Sequence, residues 1–248
     1  MTIDIHTHLG PDRMSMSSIK AAQLDQEVDK LIQDMDTNGI QRAVLSPFGQ
    51  VTTDLCLEAV RMSPDRLATA CRVMPRPVDV AEEQIKKYAD AGCVALSLDD
   101  QDYYPQDPAA QLLVKNAVDR GLPVFIHTYN ATTETYAFID RLSLVHQDGR
   151  FMVSHMGGLF GFSKVLPLCA RDNVWMEISV TLPRLVESPL RVYLDALAQD
   201  LGVRRLVFGS ENRSDYEDIL ASLNMLDINV EMSRCILDSN AQTILKTR

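Results

Sequence analysis

At 248 residues, 46% hydrophobic and 23% charged, the chain has a globular composition and enough length for a substantial core, read as one domain over residues 1–248. Its formal charge of −10 argues against nucleic acid as a partner, because phosphate binding needs a basic stripe and Arg204-Arg205 is only a lone pair of charges. No apolar run approaches the roughly 18 residues of a membrane span and no basic-then-apolar leader is visible, so no membrane partner and a cytoplasmic location are expected.

Short apolar runs suited to buried parallel strands recur at starts roughly 30 residues apart: Ile3 to His8, Ile40 to Ser46, Leu67 to Val73, Cys93 to Leu98, Pro123 to His127, Arg150 to His155, Val174 to Ser179 and Arg205 to Ser210. Between them lie amphipathic segments, among them Val28, Leu31, Ile32 and Met35, then Leu112, Leu113, Ala117 and Val118, then Leu190, Tyr193, Leu194 and Leu197. Gly39, Gly92, Gly121 and Gly202 fall between a helix and the next strand, where a left-handed cap is expected. Eight consecutive βα units with no dinucleotide or P-loop signature point to an α/β fold, a (β/α)8 TIM barrel. A further C-terminal helix carrying Val230, Ile236, Leu237 and Ile244 would close the chain against the outside. The non-periodic stretch from Gly10 to Ala22 would be a loop on the active face. Five cysteines, with no C-x-x-C pair, read as buried reduced thiols.

Four of the five histidines fall at the C-terminal ends of these strands, the end that carries chemistry in such barrels: His6, His8, His127 and His155. Alternation along the first strand places His6, His8 and Asp4 on one face and Ile3 and Ile5 on the other. The same parity pairs His127 with Phe125 and His155 with Val153, leaving Val124, Ile126 and Met152 for the helical layer. His146, on a polar stretch, reads as a helix-end residue. Three imidazoles and an open coordination position make a catalytic zinc site. Glu211 shares an inward face with Val207 and Gly209 and is the candidate general base. For an anionic substrate, Arg72 after the third strand and Arg213 after the eighth are the best-placed cations.

The segments I-D-I-H-T-H-L-G-P, L-P-V-F-I-H-T, S-H-M-G-G, V-W-M-E-I-S, L-V-F-G-S-E and I-L-D-S-N-A-Q-T-I-L, in this order from Thr2 to Leu245, resemble the amidohydrolase superfamily, in its amidohydrolase-related branch. That resemblance implies a metal-dependent barrel with His6, His8 and His127 as metal ligands and His155 touching the substrate. It also suggests a homodimer. Where the family carries a strand-8 aspartate, this chain has Glu211, a candidate for both ligation and base function; Ser97 stands where binuclear relatives hold a bridging lysine, so one ion is expected. The expected activity is hydrolysis of a small lactone, ester or amide through a metal-activated water, with Glu211 shuttling the proton and His155 stabilising the oxyanion. Zinc is the expected divalent ion, with manganese or iron as alternatives. Nonoxidative decarboxylation of a small carboxylic acid is the second reading, and a catalytically impaired barrel that binds a ligand is the third.

Overall fold

Runs of Val, Ile, Leu, Ala and Phe without polar alternation form strands buried on both faces. The computed structural model describes residues 1–10, 23–196 and 203–246. In chain order the regular elements are β1 (Ile3–Thr7), α1 (Leu24–Thr37), β2 (Arg42–Leu45), α2 (Thr53–Met62), β3 (Leu67–Arg72), α3 (Val78–Asp90), β4 (Ala95–Asp99), α4 (Pro108–Asp119), β5 (Val124–His127) and α5 (Thr133–Val145). They continue with β6 (Phe151–Val153), α6 (Phe162–Val165), β7 (Val174–Glu177), α7 (Thr181–Val186), α8 (Arg191–Ala196), β8 (Leu206–Val207), α9 (Tyr216–Asn224), α10 (Val230–Arg234) and α11 (Asn240–Leu245). Beyond Gly10, the loop expected up to Ala22 lies outside the described residues, as do Leu197, Gly202 and the side chain of Tyr193.

All eight strands are parallel and ordered β1 to β8. The sheet closes on itself where Ile5 N donates to Phe208 O at 3.1 Å and His8 N donates to Glu211 O at 2.9 Å. This is the (β/α)8 TIM barrel the strand rhythm predicts. Helix starts follow local capping chemistry: the Thr52 side chain accepts from Leu55 N, Asp107 accepts from Ala109 N with Pro108 next, and Thr132 and Thr135 form a reciprocal box. Gly39, Gly92 and Gly121 have φ of 69°, 95° and 75° with nothing within 4 Å of a would-be Cβ, so the left-handed backbone, and not crowding, selects glycine there.

Two apolar layers result. Inside the barrel, Ile3, Ile5, Val44, Ala70, Ala95, Phe125, Met152, Trp175 and Val207 form one cluster with contributions from every strand. Between strands and helices, Val124, Ile126, Phe151, Val153 and Met176 join the larger outer cluster. Two sequence expectations are corrected here. Met152 points inward and Val153 outward, the reverse of the expected parity for the sixth strand, because β6 ends at Val153 and the chain turns sharply before His155. The C-terminal helix also does more than lie against the outside. Ile236 packs in the outer cluster, but Ala241 and Ile244 join the inner one, and Leu245 packs against it alongside Ala68 and Val94 near the starts of β3 and β4. α11 therefore seals the N-terminal mouth, while Val230, which opens α10, is 88% exposed.

Candidate metal centre

The site begins with an irregularity in β1. Its pairing register against β2 shifts between Asp4 and Thr7, so strict alternation breaks there. Ile3 and Ile5 stay inside the barrel, whereas Asp4 does not share the face of His6 and His8 as alternation predicts. Its carboxylate instead accepts from His6 N (3.0 Å), Ser210 N (3.1 Å), Ser210 Oγ (2.7 Å) and Tyr216 Oη (2.9 Å), which clamps β1 to the chain after β8. Burial pushes its pKa up to about 6 against the pull of those bonds.

His127 reaches the site from the last position of β5, on the inward face with Phe125 as expected. His155 and Glu211 arrive differently. Both sit just past a strand end in the left-handed region, with φ of 57° and 67°, a conformation uncommon for residues with a Cβ. Met156 (φ 53°) continues the turn after His155. These kinks swing an imidazole and a carboxylate over the barrel mouth. Glu211 Oε2 then lies 3.3 Å from His8 Nε2, 3.4 Å from His155 Nε2, 3.6 Å from His6 Nε2 and 4.0 Å from His127 Nε2. Ligand atoms from His6, His8, His127 and Glu211 all fall within 4.8 Å of one another, and all four residues are buried.

The hydrogen-bond partners of the rings decide what this convergence means. His6 Nδ1 donates to Glu177 Oε2 at 3.1 Å and His8 Nδ1 donates to Ser46 O at 2.7 Å. His155 Nδ1 donates to Ser179 Oγ at 2.8 Å, whose own hydrogen goes to Glu177 Oε2 at 2.9 Å. His127 Nδ1 faces Asp99 Oδ2 at 3.4 Å, a longer contact. With the Nδ1 hydrogens of His6, His8 and His155 so used, their Nε2 atoms turn lone pairs toward the centre, and the His127 ring, whose Nδ1 has no hydrogen-bond partner, meets His155 Nε2 through its own Nε2 at 3.0 Å. His8 Nε2 and Glu211 Oε2 are buried without a hydrogen-bond partner. Four imidazole nitrogens and a carboxylate oxygen facing one point, two of these atoms buried without a partner, are a donor set for a cation. Ligands about 2.1 Å from a tetrahedral ion are about 3.4 Å apart, in the range of the Glu211 contacts.

Burial would raise the Glu211 carboxyl, but the imidazoles around it, His8 foremost, outweigh that when they carry protons and hold it well below the usual carboxylate range. Burial pushes His155 down to about 3, so its ring is neutral at physiological pH. Glu177, wholly buried, is likewise held ionised against desolvation, chiefly by His6, and also accepts from the backbone of His155 at 3.0 Å. Sequence reasoning assigned no role to Glu177, nor to Asp99, the inward residue ending β4 two places beyond Ser97. The signal was there in both: an acid at the inward-facing C-terminal end of a strand, the criterion that picked out Glu211.

The two arginines expected to meet an anion are already engaged. Arg72 makes a two-pronged pair with Asp102 at 2.6 and 2.8 Å, and Asp99 lies 3.7 Å away. Arg213 pairs with Asp34 of α1, with Glu27 at 3.7 Å. His146 caps the C-terminal end of α5, half-buried, outside the site. Above the site lies a cavity of about 180 Å³ with His155 and Glu211 in its wall, together with Phe48, Tyr129, Leu159, Phe160, Thr181 and Arg184.

Among solved structures, the fold is similar to a protein of Acinetobacter baumannii described as a probable 2-pyrone-4,6-dicarboxylic acid hydrolase with citric acid bound, at 19% identity over 98% of each chain and a TM-score of 0.75. It is also similar to 5-carboxyvanillate decarboxylase of Sphingomonas paucimobilis, at 14% identity over 100% of this chain and 99% of that one, TM-score 0.71. A third is 5-carboxyvanillate decarboxylase of Novosphingobium aromaticivorans complexed with manganese and 4-hydroxy-3-methoxy-5-nitrobenzoic acid, at 14% identity over 99% and 96% of the two chains, TM-score 0.71. At these identities the likeness speaks for the fold. No curated protein matches the sequence. Residues 3–246, however, match the amidohydrolase family as a whole, and with the barrel and its histidine rim in place the chain belongs to that family.

Proposed function

We propose that this protein is a metal-dependent hydrolase of a small lactone, ester or amide, with His6, His8, His127 and Glu211 holding one divalent ion. The observation that carries the reading is the convergence of imidazole lone pairs and the Glu211 carboxylate on one buried point. Three imidazoles with a carboxylate suit zinc; manganese, held by one decarboxylase of the same fold, is the alternative. Such an ion supplies Lewis acidity and a water acidified toward neutral pH.

The chain's own groups would manage the proton. His155 is neutral, with its Nδ1 hydrogen committed to Ser179 and its Nε2 lone pair facing Glu211. It accepts a proton before it can donate one to an oxyanion or a leaving group. The relay from His155 through Ser179 to Glu177 stabilises the imidazolium formed in between, as a carboxylate does behind a catalytic histidine. Glu211, ionised and facing the same point, orients the water and shares the proton. The left-handed turns at His155 and Glu211 set the direction of both groups.

The second reading keeps these residues and changes the reaction to nonoxidative decarboxylation, which the fold also hosts in the two 5-carboxyvanillate decarboxylases. The deciding experiment takes protein purified without chelators, measures its metal content, and assays lactones, esters and amides beside aromatic carboxylic acids, following acid release and carbon dioxide separately. We expect about one ion per chain and acid release without carbon dioxide. Carbon dioxide release would move the assignment to the second reading. Protein that holds no transition metal and gains no activity from added zinc or manganese would overturn both and leave a ligand-binding barrel.

A further inference from the structure

The cavity over the site has one wall built on an unusual turn. Val180 adopts φ 57°, ψ −47°, a backbone conformation that β-branched residues rarely enter, and Thr181 N reaches back to Ser179 O to close a three-residue γ-turn around it. Ser179, where the turn starts, belongs to the relay behind His155. Strain held at a defined place beside a reaction centre calls for a functional account.

The turn sets two polar side chains of α7 into the cavity wall. Thr181 is 1% exposed, yet its Oγ1 has no hydrogen-bond partner. A buried hydroxyl left unused is costly, and its residue lines the cavity. Arg184, one helical turn further on, lines the same cavity and has no ion-pair partner among the described residues, unlike Arg72 and Arg213, which carboxylates neutralise. In a chain of net charge −10, an anionic group of a ligand that does not itself meet the proposed ion is repelled unless a local cation receives it.

We propose that Thr181 and Arg184 form a carboxylate subsite, which takes an anionic group of the substrate while its reacting carbonyl lies toward His155 and Glu211. The subsite rests on the function proposed above, since it orients a substrate for that centre. It places the charge-selecting element of the pocket on α7, away from Arg72 and Arg213.

The test titrates benzoate and its neutral isostere benzamide into the holoprotein by calorimetry, for wild type, Arg184→Gln, Arg184→Lys and Thr181→Val, with metal content measured on the same samples. Wild type should favour benzoate over benzamide by about tenfold or more, the scale of a charge-assisted hydrogen bond. Arg184→Gln should cut that preference by about tenfold and leave benzamide binding unchanged, Arg184→Lys should keep part of it, and Thr181→Val should weaken benzoate by about threefold to tenfold. An equal preference in wild type and Arg184→Gln, or no benzoate binding up to about 10 mM, would overturn the subsite. Metal content separates the two failures: full metal with unchanged charge preference sinks only the subsite, whereas wild-type protein without metal sinks the reading on which it rests.

Discussion

Along the inner face of the barrel, two neighbouring layers obey opposite rules. Phe125 on β5 and Trp175 on β7 belong to the apolar lower layer, whereas His127 and Glu177, two residues further along the same strands and on the same faces, belong to the titratable rim. One pleat repeat, about 7 Å, separates a ring packed for stability from one set for chemistry. The lower layer is sealed underneath by Ala241 and Ile244, so the rim can keep unpartnered polar atoms without endangering the fold. Stability and reactivity are thus stacked in series along each strand.

The sharpest way to break that separation is to truncate one ring in each layer. His8→Ala removes a lone pair from the centre and should abolish bound metal and activity together, by far more than the roughly 10- to 100-fold that loss of a supporting hydrogen bond costs, with the melting temperature of the metal-free protein little changed. Phe125→Ala should do the reverse, costing about 3–5 kcal/mol of stability while the folded protein keeps its metal. For a chain of this size that lowers the melting temperature by roughly 6–20 °C. Metal content and thermal unfolding measured on both variants decide the matter, and an unfolded His8→Ala protein would show that the layers are not separable.

Glu177 sits at the boundary and sharpens the comparison. Its carboxylate accepts from His6 Nδ1, from Ser179 and from the backbone of His155, so it positions an expected ligand and the proposed proton carrier at once. Glu177→Gln replaces one accepting oxygen with an amide NH2 that can only donate, and should weaken metal affinity by about 10- to 100-fold in a chelator competition. Gly209→Ala offers an independent route to the same phenotype: a Cβ there would lie 2.7 Å from Glu177 Cγ and Oε1, displacing the carboxylate without altering its charge. Wild-type affinity in both variants would make Glu177 a packing residue only.

What the sequence made legible follows from the same geometry. Period-two alternation and the strand rhythm located the barrel, and where a strand stays regular up to its functional residue, as β5 does to His127, the facing was legible too. Alternation failed at Asp4, where the β1 register shifts, and at Met152 and Val153, because β6 ends two residues before His155 and a left-handed turn supplies the aim. Arg72 and Arg213 were the best-placed cations by position, but which carboxylates engage them was not legible, because Asp102 and Asp34 lie 30 and 179 residues away in sequence. Periodicity reports which face a residue occupies; it carries no information on which charges tertiary packing brings together.

A third layer, between strands and helices, supplies the smallest expected effect. Cys56, Cys71, Cys93 and Cys169 all lie buried in the outer cluster, and Cys235 alone is partly accessible. Burial pushes the Cys56 and Cys169 thiols up to about 12, and contact with Cys93 together with burial raises Cys71 well above the ordinary thiol value. Since the thiolate is the reacting species, a raised pKa leaves little of it at pH 8, and close packing blocks the reagent as well. A disulfide reagent at pH 8 should therefore titrate one thiol rapidly in the native protein and all five after denaturation. Phe125→Ala tests whether the layers communicate. If it leaves the native count at one, the loss stays inside the barrel; if buried thiols begin to react, the inner and outer clusters open as a single cooperative unit.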